Sequence, residues 1–257
     1  MPRNIVMSPF SFVAFELCSQ LMEDGQEVIG IEPSLPYLDK GVREEKELYI
    51  GRNANLLLYS IEEFSFSKEE DSILYVYQED ISLPDVEEFL ELNKKKTGKI
   101  VYITGNHQRP LIDVMKWSES NVQIQLPDVY GPWREEGVFE QCLTGGSFPF
   151  EEYEKADRGD LLYIDDAVMS ILEIAESKSG NYQLRSGVEN HWYEVLKELG
   201  YHIIYDRERE MPGRAFPSNK EEEQVYVVNA PIKPEKGVEM LRRHVNQVRK
   251  RSLFRQG

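Results

Sequence analysis

The sequence predicts an α/β fold, a doubly wound parallel sheet with a small C-terminal lobe. Three observations carry this. Apolar, β-rich runs alternate with segments of helical period along most of the 257 residues, the pattern of parallel strands joined by crossover helices. Two of those runs, "SILYVY" at 72–77 and "KIVYIT" at 99–104, are near-continuously apolar, as central strands covered on both faces must be. Residues 4–33, "NIVMSPFSFVAFELCSQLMEDGQEVIGIEP", read as strand, tight turn, helix and second strand, the opening unit of a Rossmann-like fold.

The elements follow in order. The opening unit places strands at Asn4–Met7 and Glu27–Ile31 around a helix at Phe12–Asp24, whose apolar residues recur on one stripe. Leu56–Tyr59, Ser72–Tyr77, Lys99–Thr104, Val122–Leu126 and Asn181–Leu184 are further strands, short apolar runs bounded by turn residues. Helix-period segments fill the intervals at Pro84–Lys94, Arg109–Ser118, Glu136–Thr144, Asp165–Ser177, Asn190–Leu199 and Lys236–Arg251. Two stretches break the alternation, Asp128–Asp160 with "YGPW", "TGGSFPF" and a dense acidic run, and Tyr205–Glu223. Both read as insertions at the C-terminal edge of the sheet, where open α/β folds bind ligands. The organisation expected is a Rossmann-like core over residues 1–127 and a substrate-type lobe over 128–257, interleaved with the last core helix and strand at about 160–187.

Composition excludes several classes. With 40% hydrophobic residues the chain can bury a sizeable core. Cys18 and Cys142 are its two cysteines, too few for a disulfide framework and suited to a reducing compartment. No apolar run reaches the roughly 20 residues that span a bilayer, and "MPRNIVM" enters a strand at once, so no membrane span, no signal peptide and a cytoplasmic location are expected. A net charge of −16 argues against nucleic acid. Residues 240–257 reverse the sign locally, with Arg242, Arg243, Arg249, Lys250, Arg251 and Arg255 and no acid. That tail suits either the chain's own acidic surface or an anionic partner.

Four segments together resemble the extended short-chain dehydrogenase/reductases, the NAD-dependent epimerases and dehydratases of nucleotide sugars. "VYGPW" at 129–133 is similar to that family's "VYGP" motif, "DLLYIDDAVMSIL" at 160–172 to "FVHVDDVARAIL", and "GNYQLRSG" at 180–187 to "GVYNIGSG". "KPEKGVEMLRRHV" at 233–245 resembles the family's final helix. In the family's order these span almost the whole chain. The resemblance implies a cofactor site at Ser8, Phe10, Ser11 and Glu32 and a substrate-type groove at Asp128, Tyr130, Arg134 and Tyr163.

Carried over residue by residue, the functional positions have changed. The family's G-x-x-G-x-x-G turn is Ser8, Ser11 and Ala14 here, with Pro9 and Phe10 between. Side chains at Ser8 and Ser11 disfavour positive φ, and Pro9 removes an N–H that could face a phosphate. Glu32 keeps the place of the acid that holds the adenosine ribose. The family's "HxAA" segment is "VYQED", so Glu79 and Asp80 bring negative charge near the pyrophosphate position. On these grounds no cofactor is expected, with NAD or NADP as the alternative.

The family's chemistry needs a Tyr-x-x-x-Lys pair on the helix after the fifth strand, one helical face carrying both side chains. Lys116 is present there, but Ile112 stands four residues before it. Tyr193 and Lys197 have the spacing on a later packing helix. Thr104 or Asn106 could supply a hydroxyl or amide, and His107 or Tyr130 an unorthodox acid or base. His107, His191, His202 and His244 show no metal-ligand spacing. No catalytic residue and no metal site are therefore assigned. The expectation is a catalytically degenerate relative that binds an unknown protein partner or a small anionic ligand. Alternatives are an active epimerase, dehydratase or reductase and a nucleotide-sugar sensor. Because extended members dimerise through the helices after the fourth and fifth strands, and the second is short here, a monomer or altered dimer is expected.

Overall fold

β1 (Arg3–Met7) lies inside a sheet whose strand order, among the described residues, is β10-β9-β6-β5-β4-β1-β2-β3. The strands are β2 (Val28–Glu32), β3 (Leu56–Ser60), β4 (Ser72–Tyr77), β5 (Lys99–Thr104), β6 (Val122–Gln125), β9 (Gly180–Arg185) and β10 (Glu223–Val227). A separate parallel pair joins β7 (Asp128–Tyr130) to β8 (Leu161–Tyr163). Helices are α1 (Phe12–Glu23), α2 (Lys40–Ile50), α3 (Pro84–Asn93), α4 (Val138–Thr144), α5 (Ile164–Ser177), α6 (His191–Glu198) and α7 (Pro234–Arg255). The computed structural model describes residues 2–34, 38–50, 53–66, 71–78, 84–105, 108–134, 137–145, 160–201 and 223–255.

From β3 through β9 every pairing is parallel, with Asn4 opposite Val28 and Ile73, and Val101 opposite Val122. Strand order reverses between β1 and β4, so the turns after those two strands flank the switch point at which doubly wound sheets take ligands. β4 and β5 are buried almost end to end, as their sequences require. The chain forms two compact units, one of Met1–Leu126, Val168–Leu184 and Glu222–Tyr226, the other of Pro127–Ala167, Arg185–Glu221 and Val227–Gly257.

One expected helix is absent. Over Arg109–Ser118 the structure has a single 3₁₀ turn at Val114–Lys116. The Asn121 amide donates to the Val114 carbonyl at 2.8 Å and accepts from the Ile100 N–H at 2.9 Å. It thereby takes the carbonyl that an α-helix would offer to residue 118. Gln78 ties down the other end, donating to the Arg109 carbonyl at 3.0 Å and accepting from the Leu111 N–H at 3.1 Å.

α2 is a helix the periodicity does not announce. Asp39 starts it, its Oδ1 accepting from the N–H groups of Gly41 (2.8 Å) and Val42 (3.3 Å). Its buried side chains are Lys46 and Ile50. No described helix is long and apolar enough to cross a membrane.

Candidate functional site

The turn between β1 and α1 keeps a shape its sequence disfavours. Ser8 sits at φ +52°, the left-handed conformation a glycine supplies without strain. Its N–H donates to the Ile31 carbonyl at 2.9 Å, and its carbonyl accepts from Ser11, the α1 N-cap, also at 2.9 Å. Two long-range features hold the turn down. Pro9 packs on β2 where Gly30 has no side chain, since a Cβ there would lie 2.7 Å from the proline Cγ. Phe10 is fully buried, so its ring is not left standing in solvent beside the turn.

α2 supplies two cations to this turn. Lys46 is fully buried and its Nζ donates to the Phe10 carbonyl at 2.7 Å. The Arg43 guanidinium lies 5.3 Å from the Phe10 ring centroid and forks onto Glu32, each terminal nitrogen 3.1 Å from one carboxylate oxygen. Its Nε donates to Glu47 at 2.8 Å. Arg43 and Lys46 are therefore part of the site, and sequence reading missed them. Their only signal is i, i+3 spacing on one helix, without anything local that joins them to Glu32 or Phe10.

Ile112 and Lys116, at the positions the resemblance gives to proton transfer, lie in different surroundings. Ile112 belongs to the apolar core, whereas the Lys116 side chain is 79% exposed and pairs with Asp113 at 3.2 Å. The 3₁₀ turn puts them on no common helical face. The Thr104 hydroxyl is buried and directed to the Ile124 carbonyl at 3.5 Å. On α6, Lys197 pairs with Glu194 on the surface at 3.1 Å. Glu79, Asp80, Asn106 and His107 lie outside the described residues, as does His202.

In the second unit, Asp128, Tyr130 and Arg134 do come together. With Glu140, Phe139 and Trp192 they line a cavity of ≈ 190 Å³. Tyr163 stands behind it, fully buried, its ring edge-on to Tyr130 at 5.2 Å. The Arg134 guanidinium turns inward and donates to the Val129 carbonyl. α7 approaches closely through Gly237, where a Cβ would fall 2.2 Å from the Tyr130 hydroxyl.

Among the described residues, the Tyr130 hydroxyl and both Glu140 carboxylate oxygens are shut off from solvent without a hydrogen-bond partner. Burial raises the Tyr130 phenol above its ordinary range, with Asp166 adding to the effect. That makes it a poor proton donor or acceptor near neutrality. Burial also pushes Glu140 up to about 7. The N–H groups of Glu140 and Gly131 and the Arg134 charge oppose that rise without bonding geometry. Asp165 and Asp166 occupy the first turn of α5, and Asp166 accepts from the Ile232 N–H at 2.7 Å. No group of three or more described His, Cys, Asp or Glu residues is arranged to hold a metal.

No protein-family model matches this sequence, and no curated protein sequence does. Solved structures match its fold. UDP-glucuronic acid 4-epimerase from Bacillus cereus in complex with NAD is 14% identical, with 96% of this chain and 99% of that chain covered at a TM-score of 0.63. dTDP-glucose 4,6-dehydratase from Bacillus anthracis in complex with NAD is 13% identical over 97% of this chain and 98% of that one, TM-score 0.62. UDP-glucose 4-epimerase from Thermotoga maritima with UDP-glucose is 16% identical over 96% and 99%, TM-score 0.56. The fold is that of the extended short-chain dehydrogenase/reductases.

These matches overturn the expectation of a chain without a cofactor, because two of these neighbours are solved with NAD. One physical ground for that expectation also fails. Losing the glycine at position 8 does not lose the turn, since Ser8 adopts the left-handed conformation itself.

Proposed function

We propose that this protein is a catalytically degenerate relative of the NAD-dependent nucleotide-sugar epimerases and dehydratases, retaining a dinucleotide site and a ligand-binding role. The observation that carries the reading is the segment after β5. There a 3₁₀ turn replaces the helix, Ile112 is packed in the core, and Lys116 points to solvent.

The dinucleotide half is supported by what the β1–α1 turn still offers. α1 presents the orphan N–H groups and positive end of a 12-residue helix, which suits a diphosphate. Ser8 and Ser11 border that end, and Glu32 closes β2 at the place for a ribose diol. When bound, NAD would supply hydride chemistry, which neither the core-packed Ile112 nor the exposed Lys116 is placed to serve as acid or base. Asp128, Tyr130 and Arg134 around the second unit's cavity are the residues for a sugar-nucleotide type of ligand.

The test pairs binding with turnover. Calorimetric titration with NAD+ is expected to give saturable binding. Incubation with UDP-glucuronate, UDP-glucose and dTDP-glucose is expected to give no epimerised or dehydrated product. Turnover of any of the three ends the degenerate reading, and absence of dinucleotide binding ends the cofactor reading.

A further inference from the structure

We infer that Arg43 is the residue that limits dinucleotide affinity: it occupies, from within the chain, the carboxylate that an adenosine ribose would need. This rests on the dinucleotide site proposed above.

A ribose diol is best held by a carboxylate that accepts from both hydroxyls through its two oxygens. At Glu32 both oxygens already accept from one planar guanidinium, at 3.1 Å each. This fork is the geometry in which an arginine and a carboxylate bind most strongly. The arrangement is also built to last. Nε of Arg43 is held by Glu47 at 2.8 Å, and the Phe10 ring lies against the guanidinium at 5.3 Å. Three contacts from three elements therefore fix one side chain. The Glu32 side chain is only 13% exposed, so an incoming ligand can reach its oxygens only by sharing them with Arg43 or displacing it.

Sharing is unfavourable, because the guanidinium already engages both carboxylate oxygens of a side chain with little exposed surface. Displacement gives up a charge-assisted pair in a half-buried place, where such bonds exceed neutral ones. A hydroxyl pair does not repay that. Arg43 therefore acts against the unmodified ribose, and its removal exposes a carboxylate already positioned at the end of β2.

Calorimetric titration of NAD+ into wild type and Arg43→Ala is the test. The variant is expected to bind about tenfold more tightly, equivalent to roughly 1.4 kcal/mol. Arg43→Ala combined with Glu32→Gln is expected to lose that gain, because the gain runs through the freed carboxylate. Glu47→Gln, which loosens the guanidinium while leaving it charged, provides a milder variant if Arg43→Ala fails to fold. It is expected to tighten binding about twofold. Binding by wild type that is unchanged or weakened in Arg43→Ala overturns the inference alone. So does a gain that survives Glu32→Gln. Absence of NAD+ binding in wild type and every variant overturns the dinucleotide reading together with it.

Discussion

The two units of this chain treat their buried polar groups differently. In the first, the polar side chains behind the β5–β6 connection are hydrogen-bonded through both oxygen and nitrogen. Asn121 bonds Ile100 and Val114, and Gln78 bonds Arg109, Leu111 and the Tyr102 hydroxyl. In the second, an acid and an imidazole are sealed in without such partners among the described residues, namely both oxygens of Glu140 and both nitrogens of His191. The first unit has orphans too, but they are the Ser8 and Ser19 hydroxyls and one Asn181 oxygen, all neutral groups that cost less to bury than an ionisable one.

The difference is between a hydrogen-bonded connection and an enclosure of ionisable groups. Between β5 and β6, where a 3₁₀ turn stands in place of an α-helix, amide side chains tie the chain down. Where ionisable groups were enclosed unsatisfied, the arrangement has the character of a binding or switching region more than of a stabilised core.

The largest effect is expected from breaking this amide network. Asn121→Ala leaves the buried Ile100 N–H without its side-chain partner, at about 1–3 kcal/mol, and the Val114 carbonyl with the Trp117 N–H alone, at about 1 kcal/mol for the bond lost. Urea unfolding should show the loss at every pH from 5 to 9, because no titrating group is involved.

Next comes Glu140, whose sign is opposite. Its folded-state pKa is raised from the ordinary 4.5 to about 7, so ionisation favours the unfolded chain. The stability it permits is complete below pH 4.5, declines as pH rises from 4.5 to about 7, and is flat above that. The total is roughly 3 kcal/mol. Glu140→Gln should therefore match wild type near pH 4.5 and exceed it by an amount that grows to pH 7. His191 contributes the reverse slope. Burial lowers its pKa, with Asp160 and the Leu161 backbone opposing, so its contribution is lost as pH falls below the ordinary 6.5. In Glu140→Gln, that acid-side decline should remain. A variant whose urea midpoint is parallel to wild type across pH 4.5–8 would disprove the assignment.

What was legible in the sequence follows the range of the interactions involved. β4 and β5 declare themselves because burial on both faces demands apolar residues throughout. Glu32 stands out in the sequence because an acid at the end of the second strand is a local pattern. The helix expected over Arg109–Ser118 was wrong because its apolar spacing is helical, while the bonds that prevent it come from Gln78 and Asn121, distant in sequence. α2 was missed because its buried side is provided by Lys46 and Ile50, and a lysine does not read as core. The Ser8 conformation was misjudged because intrinsic preference disfavours it while Gly30, under Pro9, makes room for the turn. Fold class is written in local composition, whereas the Arg43–Glu32 pairing and the Glu140 enclosure arise only when separated segments meet.

A smaller effect is expected when a tyrosine is placed four residues before Lys116. Ile112→Tyr completes Tyr-x-x-x-Lys with Lys116, yet Ile112 is only 8% exposed and packed among core residues. The extra ring overpacks the core at about 1–2 kcal/mol. It also stands on no helix shared with Lys116, so the variant should lose thermal stability and gain no turnover of UDP-glucuronate. Activity in this variant would mean that the β5–β6 connection can still form the helix that Asn121 and Gln78 replace.

The smallest effect concerns the turn that the first unit preserved. Ser8 bears two local penalties, a left-handed backbone for a residue with a Cβ and a buried hydroxyl without a partner among the described residues. The conformational penalty is about 1–2 kcal/mol. Glycine relieves it but raises the entropy of the unfolded chain, which takes back about 0.5–1 kcal/mol. Removing the hydroxyl adds a little in the same favourable direction. Ser8→Gly should therefore be stabilising by about 0.5–1 kcal/mol, read as a higher urea midpoint with an unchanged slope. Since the turn already has its glycine-like shape, NAD+ affinity should change less than twofold. A large gain in affinity would show instead that the Ser8 side chain obstructs the ligand, and that the turn has a glycine-like shape in backbone alone.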